Sequence, residues 1–277
     1  MDMDIKKVFC IIDPTKPEQP ALARSVGIVR NTGATLHAYI CIPNAYNLPA
    51  EDKEAMREVE LERHEAWLEK MLAPFREKGC TITYEVEASE DWRSALAPAA
   101  ERAGADLIVK PSYQRTAIQR RFGKTSDWTL LREAKCPVLF VKSGQMKEFK
   151  RILLAVNLAA KDQKYVELND KVIAYGKAVA DLTNAELHVA NAYEGSENFI
   201  HPPDIAKKAG TTRDRVHVGD AEPEEWIAEV SDKLDGPLVI IGTMGRTGMN
   251  AAVVGNTAER ILDKLNTDIL VITKDRT

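Results

Sequence analysis

What this chain lacks narrows its function before any motif is considered. None of its 277 residues fall in an uninterrupted apolar run of the roughly 18 positions that a membrane-crossing helix needs, so no membrane association is expected. The amino-terminal MDMDIKK passes from acidic to basic straight into an apolar segment. It lacks the basic, apolar and small-residue order of a secretory signal, and the sequence predicts a protein that is not secreted. The four cysteines, Cys10, Cys41, Cys80 and Cys136, contain no CxxC pair, the usual mark of a zinc or redox site. Cys10, Cys41 and Cys136 sit in apolar runs and are expected to be unpaired, buried and reduced, which points to a cytoplasmic setting. Positive charge is not in excess either: 38 basic against 42 acidic residues leave a net charge of −4, which argues against a nucleic-acid partner. The local cluster Arg115, Arg120, Arg121 and Lys124 reads as a solvated face. There is no GxSxG elbow, and His201, Asp204 and His217 follow no metal-ligand spacing, so no catalytic or metal residue is assigned.

What is present is a repeat. DLIVKPSYQRT, from Asp106, returns as PLVIIGTMGRT, from Pro237, at a spacing of 131 residues. That spacing also pairs Leu130-Leu131 with Ile261-Leu262, and Val138–Val141 with Ile269–Ile272. Val8–Asp13 corresponds to Ile152–Asn157 at a spacing of 144, and Leu36-His37 to Leu187-His188 at 151. The chain is therefore two diverged copies joined near Ser143-Gly144, residues 1–144 and 145–277. Short apolar runs at Val8–Ile12, Leu36–Ile42, Thr81–Val86, Leu107–Val109 and Val138–Val141 alternate with helical spacing at Ala21–Asn31, Glu51–Ala73, Ser94–Ala103 and Ser126–Ala134. Such alternation predicts an α/β fold, a five-stranded parallel sheet per copy with helices on both faces. Trp67, Leu68, Met71, Leu72 and Phe75 form the core stripe of the long helix. The second copy is 20 residues shorter between its second and third strands, and His201-Pro202-Pro203 opposes a long helix there. This shorter connection is expected to leave the second crevice less covered.

The informative stretch is Gly242-Thr243-Met244-Gly245, then nine residues, then Gly255-Asn256-Thr257. It follows a strand over Leu238–Ile241 and precedes a helix of about Ala258–Leu265. Glycines at a strand's carboxyl end let backbone approach a ligand, and the following helix start offers unpaired N–H groups and partial positive charge. In open parallel sheets ligands gather at this edge, where strand order reverses. The expected ligand is a nucleotide or another phosphorylated small molecule.

On these residues the chain resembles the universal stress proteins, whose ATP-binding members carry glycine, two residues, glycine, nine residues, glycine, and then serine or threonine. Gly242, Gly245 and Gly255 keep that spacing; Asn256 stands in the hydroxyl position and Thr257 follows it. The resemblance covers both copies and is closest to the tandem, two-domain type. It implies two Rossmann-like domains of the adenine nucleotide alpha hydrolase-like kind, and a role in stress survival or regulation. It also implies ATP or a related nucleotide, with magnesium as an option, held by Asn157, Gly242, Gly245, Gly255, Asn256 and Thr257. The family's aspartate at the end of the first strand is present as Asp13 but replaced by Asn157 in the second copy. Conversely, Pro111, Gln114 and Lys124 stand in the first copy where the second has its three glycines. Binding is therefore expected in the second copy only. Family members pair through an end strand, so Val138–Val141 and Ile269–Ile272 are expected to pair within the chain as a pseudo-dimer, and a homodimer is a further option.

Plainer readings stand beside these. Asn256 with Glu259 three positions on fits a reciprocal helix cap. Asp13 before Pro14 fits a turn, and Arg115 and Arg246 fit a charged surface. His37 and His188, at matching strand positions, fit a shared packing place. A slow ATP hydrolase, or a module for another ligand or partner, remains the alternative to simple nucleotide binding.

Overall fold

The computed structural model describes residues 5–44, 50–113, 125–142, 148–244 and 257–273. The first half forms strands β1 (Lys7–Ile11), β2 (Thr35–Pro43), β3 (Ile82–Ser89), β4 (Leu107–Pro111) and β5 (Val138–Val141). Between them run helices α1 (Pro20–Thr32), α2 (Ala50–Glu77), α3 (Trp92–Arg102) and α4 (Ser126–Glu133). The second half forms β6 (Arg151–Ala155), β7 (Glu186–Tyr193), β8 (Val216–Asp220), β9 (Leu238–Thr243) and β10 (Ile269–Thr273). Its helices are α5 (Gln163–Thr183), α6 (Pro202–Ala209), α7 (Pro223–Lys233) and α8 (Thr257–Lys264).

All strands belong to one sheet, in the order β3-β2-β1-β4-β5-β10-β9-β6-β7-β8. Within each half every pair is parallel. The halves meet antiparallel, with Phe140 opposite Ile269, Leu139 opposite Leu270 and Val138 opposite Val271. These apolar strands would each be an open edge in an isolated half, and pairing satisfies both at once. The antiparallel sense makes the seam self-complementary, like a two-fold dimer contact inside one chain.

Side-chain alternation along each strand divides the core between two faces. Val8 and Cys10 pack with Leu22, Val26, Leu68 and Leu72 under α1 and α2, continuous with Val172, Ile173 and Ile205 of α5 and α6. Phe9 and Ile11 face the other way, with Leu96, Leu130, Ile227 and Ile261 of α3, α4, α7 and α8. The stripe on α2 behaves as its spacing predicts: Leu68 and Leu72 are fully buried, and Trp67, Met71 and Phe75 pack partly buried against them. Cys10, Cys41 and Cys80 are free and buried, whereas Cys136 is only half-buried.

The two halves differ where their repeat spacing shifts. α5 has 21 residues where α1 has 13, which absorbs the extra chain before β7. α5 lies close on β6: a Cβ at Gly176 would collide with Leu154. The 28-residue α2 is matched by the eight-residue α6. The adjacent prolines do exclude a long helix, but they start a short one. Pro202 and Pro203 occupy its first turn, where a missing N–H costs nothing, and Gly210 ends it at φ 66°. Ile205 and Ala209 of α6 are fully buried, so this shorter connection still covers the sheet.

Candidate ligand cleft beside strands β6, β7 and β8

From β6 the chain steps outward to β7 and β8, then returns to the other side of β6 as β9. The carboxyl ends of β6 and β9 therefore adjoin where the winding reverses, the place at which such sheets bind ligands. Ala155 lies opposite Ile241 there, just before Asn157 and Gly242.

Asn157 begins the loop after β6. Its Oδ1 accepts from the Ala159 N–H at 3.2 Å. Asn169, from α5, donates its Nδ2 to the Asn157 carbonyl at 2.7 Å and accepts from the Asn157 N–H at 3.3 Å. Asn191, wholly buried on β7, accepts from the Leu158 N–H at 3.0 Å. Two buried amides thus hold a loop whose own backbone has no ladder partner there. The sequence reading missed both. An asparagine inside the apolar run LHVANAY was the available signal for Asn191, and Asn169 was hidden in a helical pattern.

Beside this loop lies a cleft of about 260 Å³, lined by Asn157, Ala192, Tyr193, Glu194, Asn198 and Pro223 among others. Tyr193 and Phe199 meet edge to face at 5.4 Å, and Phe199 meets His201 likewise at 5.2 Å. Asn198 donates to the Glu194 carbonyl at 2.7 Å. A larger groove, about 1500 Å³, crosses the seam at the opposite end of the sheet. It is lined by strand starts such as Leu107, Arg151 and Leu238, and by the ends of α1 and α5, Thr32 and Thr183. Helix carboxyl ends, with their partial negative charge, face it together with Arg24, Arg30, Lys135, Lys150 and Arg151.

The glycine motif is only partly within reach of description: Gly245, Gly255 and Asn256 lie outside the described residues, as do Arg115, Arg246 and the basic cluster. Gly242 lies inside β9, not after it, because β9 extends to Thr243. A Cβ there would stand 2.7 Å from Leu168 Cγ, so the packing of α5 on β9 already demands this glycine. Thr257 is the first residue of α8, and its hydroxyl is 3.4 Å from an Arg260 guanidinium nitrogen. The cap reading of Asn256 with Glu259 falls outside the described residues, since it needs Asn256, but Glu259 has a partner in the first half. It is buried and accepts from Arg132 of α4 at 2.8 and 2.9 Å, an ion pair across the seam that ties α8 to the first half.

The corresponding place in the first half is filled by the protein's own groups. Lys110 and Asp127 form a buried ion pair at 2.6 Å, and the Ser112 hydroxyl donates to Asp127 at 2.7 Å. Burial pushes the Asp127 carboxyl upward, but the Lys110 charge and hydrogen bond, with Ser112, hold it below its usual value. Asp127 sits in the first turn of α4, and Thr125 caps that helix by accepting from the Trp128 N–H at 3.1 Å. Asp13 does form a turn, accepting from the Thr15 N–H at 2.9 Å and hydroxyl at 2.6 Å. The Tyr113 phenol lies near Asp13; burial first, then the charge of that carboxylate, raises its pKa.

The matching histidines do share a packing position, with different partners. His37 stacks on Phe9 and bonds to Thr83 at 2.8 Å. His188 stacks on His217, with ring nitrogens 3.2 Å apart. Burial lowers the pKa of both His188 and His217. Among the described residues no group of three or more His, Cys, Asp or Glu side chains could hold a metal, and no helix is long and apolar enough to cross a membrane.

Known proteins share this architecture. The chain is similar to Universal stress protein E of Escherichia coli K12, at 28% identity over 98% of this chain and 95% of that protein. Its likeness to the Universal stress protein E homolog of Haemophilus influenzae is again 28%, over 98% of each. A crystal structure of a putative universal stress protein from Pseudomonas aeruginosa UCBPP-PA14 superposes with a TM-score of 0.80 at 26% identity, covering 99% of this chain and 96% of that one. The model of the universal stress protein family matches residues 4–142 and 178–273, one stretch in each half, with Asn157 in the interval between them. With one family match in each half and full-length relatives of the same build, the chain belongs to the universal stress protein family, as a tandem of two such domains.

Proposed function

We propose that this protein is a cytoplasmic stress-response or regulatory protein whose second domain, residues 145–277, binds ATP or a related nucleotide. The first domain, residues 1–144, then serves as a structural or partner-binding copy. One contrast carries this reading. At the carboxyl ends of β6, β7 and β8 an open cleft lies beside Asn157, whereas in the first half the matching Asp13 is engaged by Thr15 and neighboured by Tyr113, and a Lys110–Asp127 pair stands between the end of β4 and the start of α4. The nucleoside end would lie in the cleft. The phosphates would lie toward the start of α8 at Thr257, where helix N–H groups favour anions. The spacing of Gly242, Gly245 and Gly255 supports the same orientation. Neither Asn157 nor Thr257 supplies an acid or base, and the proposal is of binding rather than hydrolysis.

Titration calorimetry with ATP, with and without magnesium, tests this. The expected outcome is one site per chain, lost in Gly245→Trp and kept in Gly123→Trp. Silence at millimolar ATP, or binding indifferent to Gly245→Trp, would overturn the nucleotide reading.

A further inference from the structure

The groove across the seam is larger than a small molecule needs. Its volume of about 1500 Å³ exceeds the roughly 300–1,000 Å³ of ordinary small-molecule pockets. α1 packs mainly on β1 and β4, and α5 on β6 and β9, so the two helices flank the paired strands β5 and β10. Their axes are therefore four strand spacings apart, roughly 19 Å. Packed helices stand about 8–10 Å from one another, so one further helix fits between them. Among the described residues none lies there. Leu139 and Leu270 form the floor of the groove, and Ile28, Tyr175, Val179 and Leu182 its walls. Leu182 is 52% exposed, a large aliphatic side chain facing water. Arg30, Lys135 and Lys150 stand exposed on the margin. Of the carboxylates beside them, Asp106 accepts from the Lys6 and Lys7 N–H groups, and Glu186 pairs with Arg151 and Arg215.

The chain itself carries a helix of matching chemistry. α2 has 28 residues, about 42 Å, whereas β3 beside it has eight, about 26 Å. The helix therefore overhangs the sheet by roughly ten residues. His64 is the first of its described side chains to be buried. Before it, Met56 and Val59 are 40% and 58% exposed and share one face, three positions apart. They stand among Asp52, Glu54, Glu58 and Glu60, against Lys53 and Arg57. An apolar face with an excess of acid complements an apolar groove with a basic margin.

We infer that the overhanging start of α2 docks in the seam groove of a second copy of this chain. Each chain has one such arm and one groove, so reciprocal docking closes a two-fold dimer. Met56 and Val59 then lie against the groove walls beside Leu182, and the carboxylates of the arm lie beside Arg30, Lys135 and Lys150. One wall of the groove comes from each half of the chain, so this surface exists only where the halves are joined. The contact is independent of any nucleotide in the second domain.

Sedimentation equilibrium of the full chain tests the docking. The expected result is a dimer of micromolar affinity that weakens as salt screens the charged margin. Val59→Asp on the arm and Leu182→Asp in the groove should each weaken it at least about tenfold. Both positions are exposed, so both variants should keep the wild-type circular dichroism spectrum. Reversing the margin with Arg30→Glu and Lys150→Glu should weaken the dimer as well. Adding Asp52→Lys and Glu58→Lys to that chain should restore it, because the two surfaces are again of opposite sign. A wild type that stays monomeric at about 1 mM chain overturns the proposal. So does a dimer indifferent to Val59→Asp or to Leu182→Asp, and so do charge reversals that accumulate instead of compensating.

Discussion

The two halves of the sheet share a winding and differ in what fills its point of reversal. In the first half Lys110 and Asp127 form a buried ion pair, and Asp13 accepts from Thr15. The 131-residue spacing puts Ile241, Ala258 and Met244 at the positions of Lys110, Asp127 and Tyr113. The difference teaches that the same winding can place a buried ion pair in one half and apolar contact in the other. A carboxylate in the first turn of α4 does for that helix what an anionic ligand would otherwise do. In the same half Pro111, Gln114 and Lys124 stand where the second half has Gly242, Gly245 and Gly255.

The largest test of this contrast removes the internal anion. Asp127→Ala leaves the Lys110 ammonium buried without its partner and should cost about 3–5 kcal/mol in urea unfolding. Lys110→Ile combined with Asp127→Ala, which copies the second half, should recover most of that loss. Failure of the double variant to recover would show that the pair is not a simple substitute for apolar contact. The pH dependence has a definite sign. Asp127 is held below its usual 3.8, so its contribution is present above that value and is lost as pH falls through its lowered pKa. Acid unfolding should accordingly be shallower in the double variant.

A middle-sized effect separates packing from binding at Gly242. Gly242→Ala places a methyl against Leu168 and should destabilise the protein by about 1–3 kcal/mol. Adding Leu168→Ala should relieve the strain. If ATP affinity then returns to the wild-type level, Gly242 serves α5 packing; if it does not, the glycine serves the ligand as well.

The smallest effect compares the two histidine positions. His188 and His217 are each depressed, burial first, so the fold loses stability as pH drops below about 6.5 through their lowered values. His217→Gln removes one of the two groups and should flatten the stability profile between pH 7 and 5, read by thermal melts. His37 is also depressed by burial, but Glu85 opposes the shift, so His37→Gln should flatten it less.

Much of this molecule was legible along the chain. Val8–Ile12 and its repeat at Ile152–Val156 announced buried parallel strands, because continuous apolar runs of that length suit a strand covered on both faces. The α2 stripe was legible for the same local reason. The site was legible in part. Asn157 could be placed at a strand end, and Thr257 at a helix start. Gly242 was misplaced by two residues' extension of β9, and its packing role depended on Leu168, which lies 74 positions away. The charge of Glu259 is met by Arg132, 127 residues away, a pairing no local pattern could show. Asn169, Asn191 and Glu194 carried no motif.

The division follows from the range of each interaction. Periodicity, turn residues and the repeat spacing are properties of neighbouring positions, so the amino-acid order alone established two α/β copies, their strands and the loss of glycines from the first. Which faces meet, which edges close and which charges pair depend on segments brought together by the folded sheet. Only there does β5 find β10, Arg132 find Glu259 and Asp127 find Lys110, because a buried charge or an open edge is satisfied by whatever group the fold sets beside it.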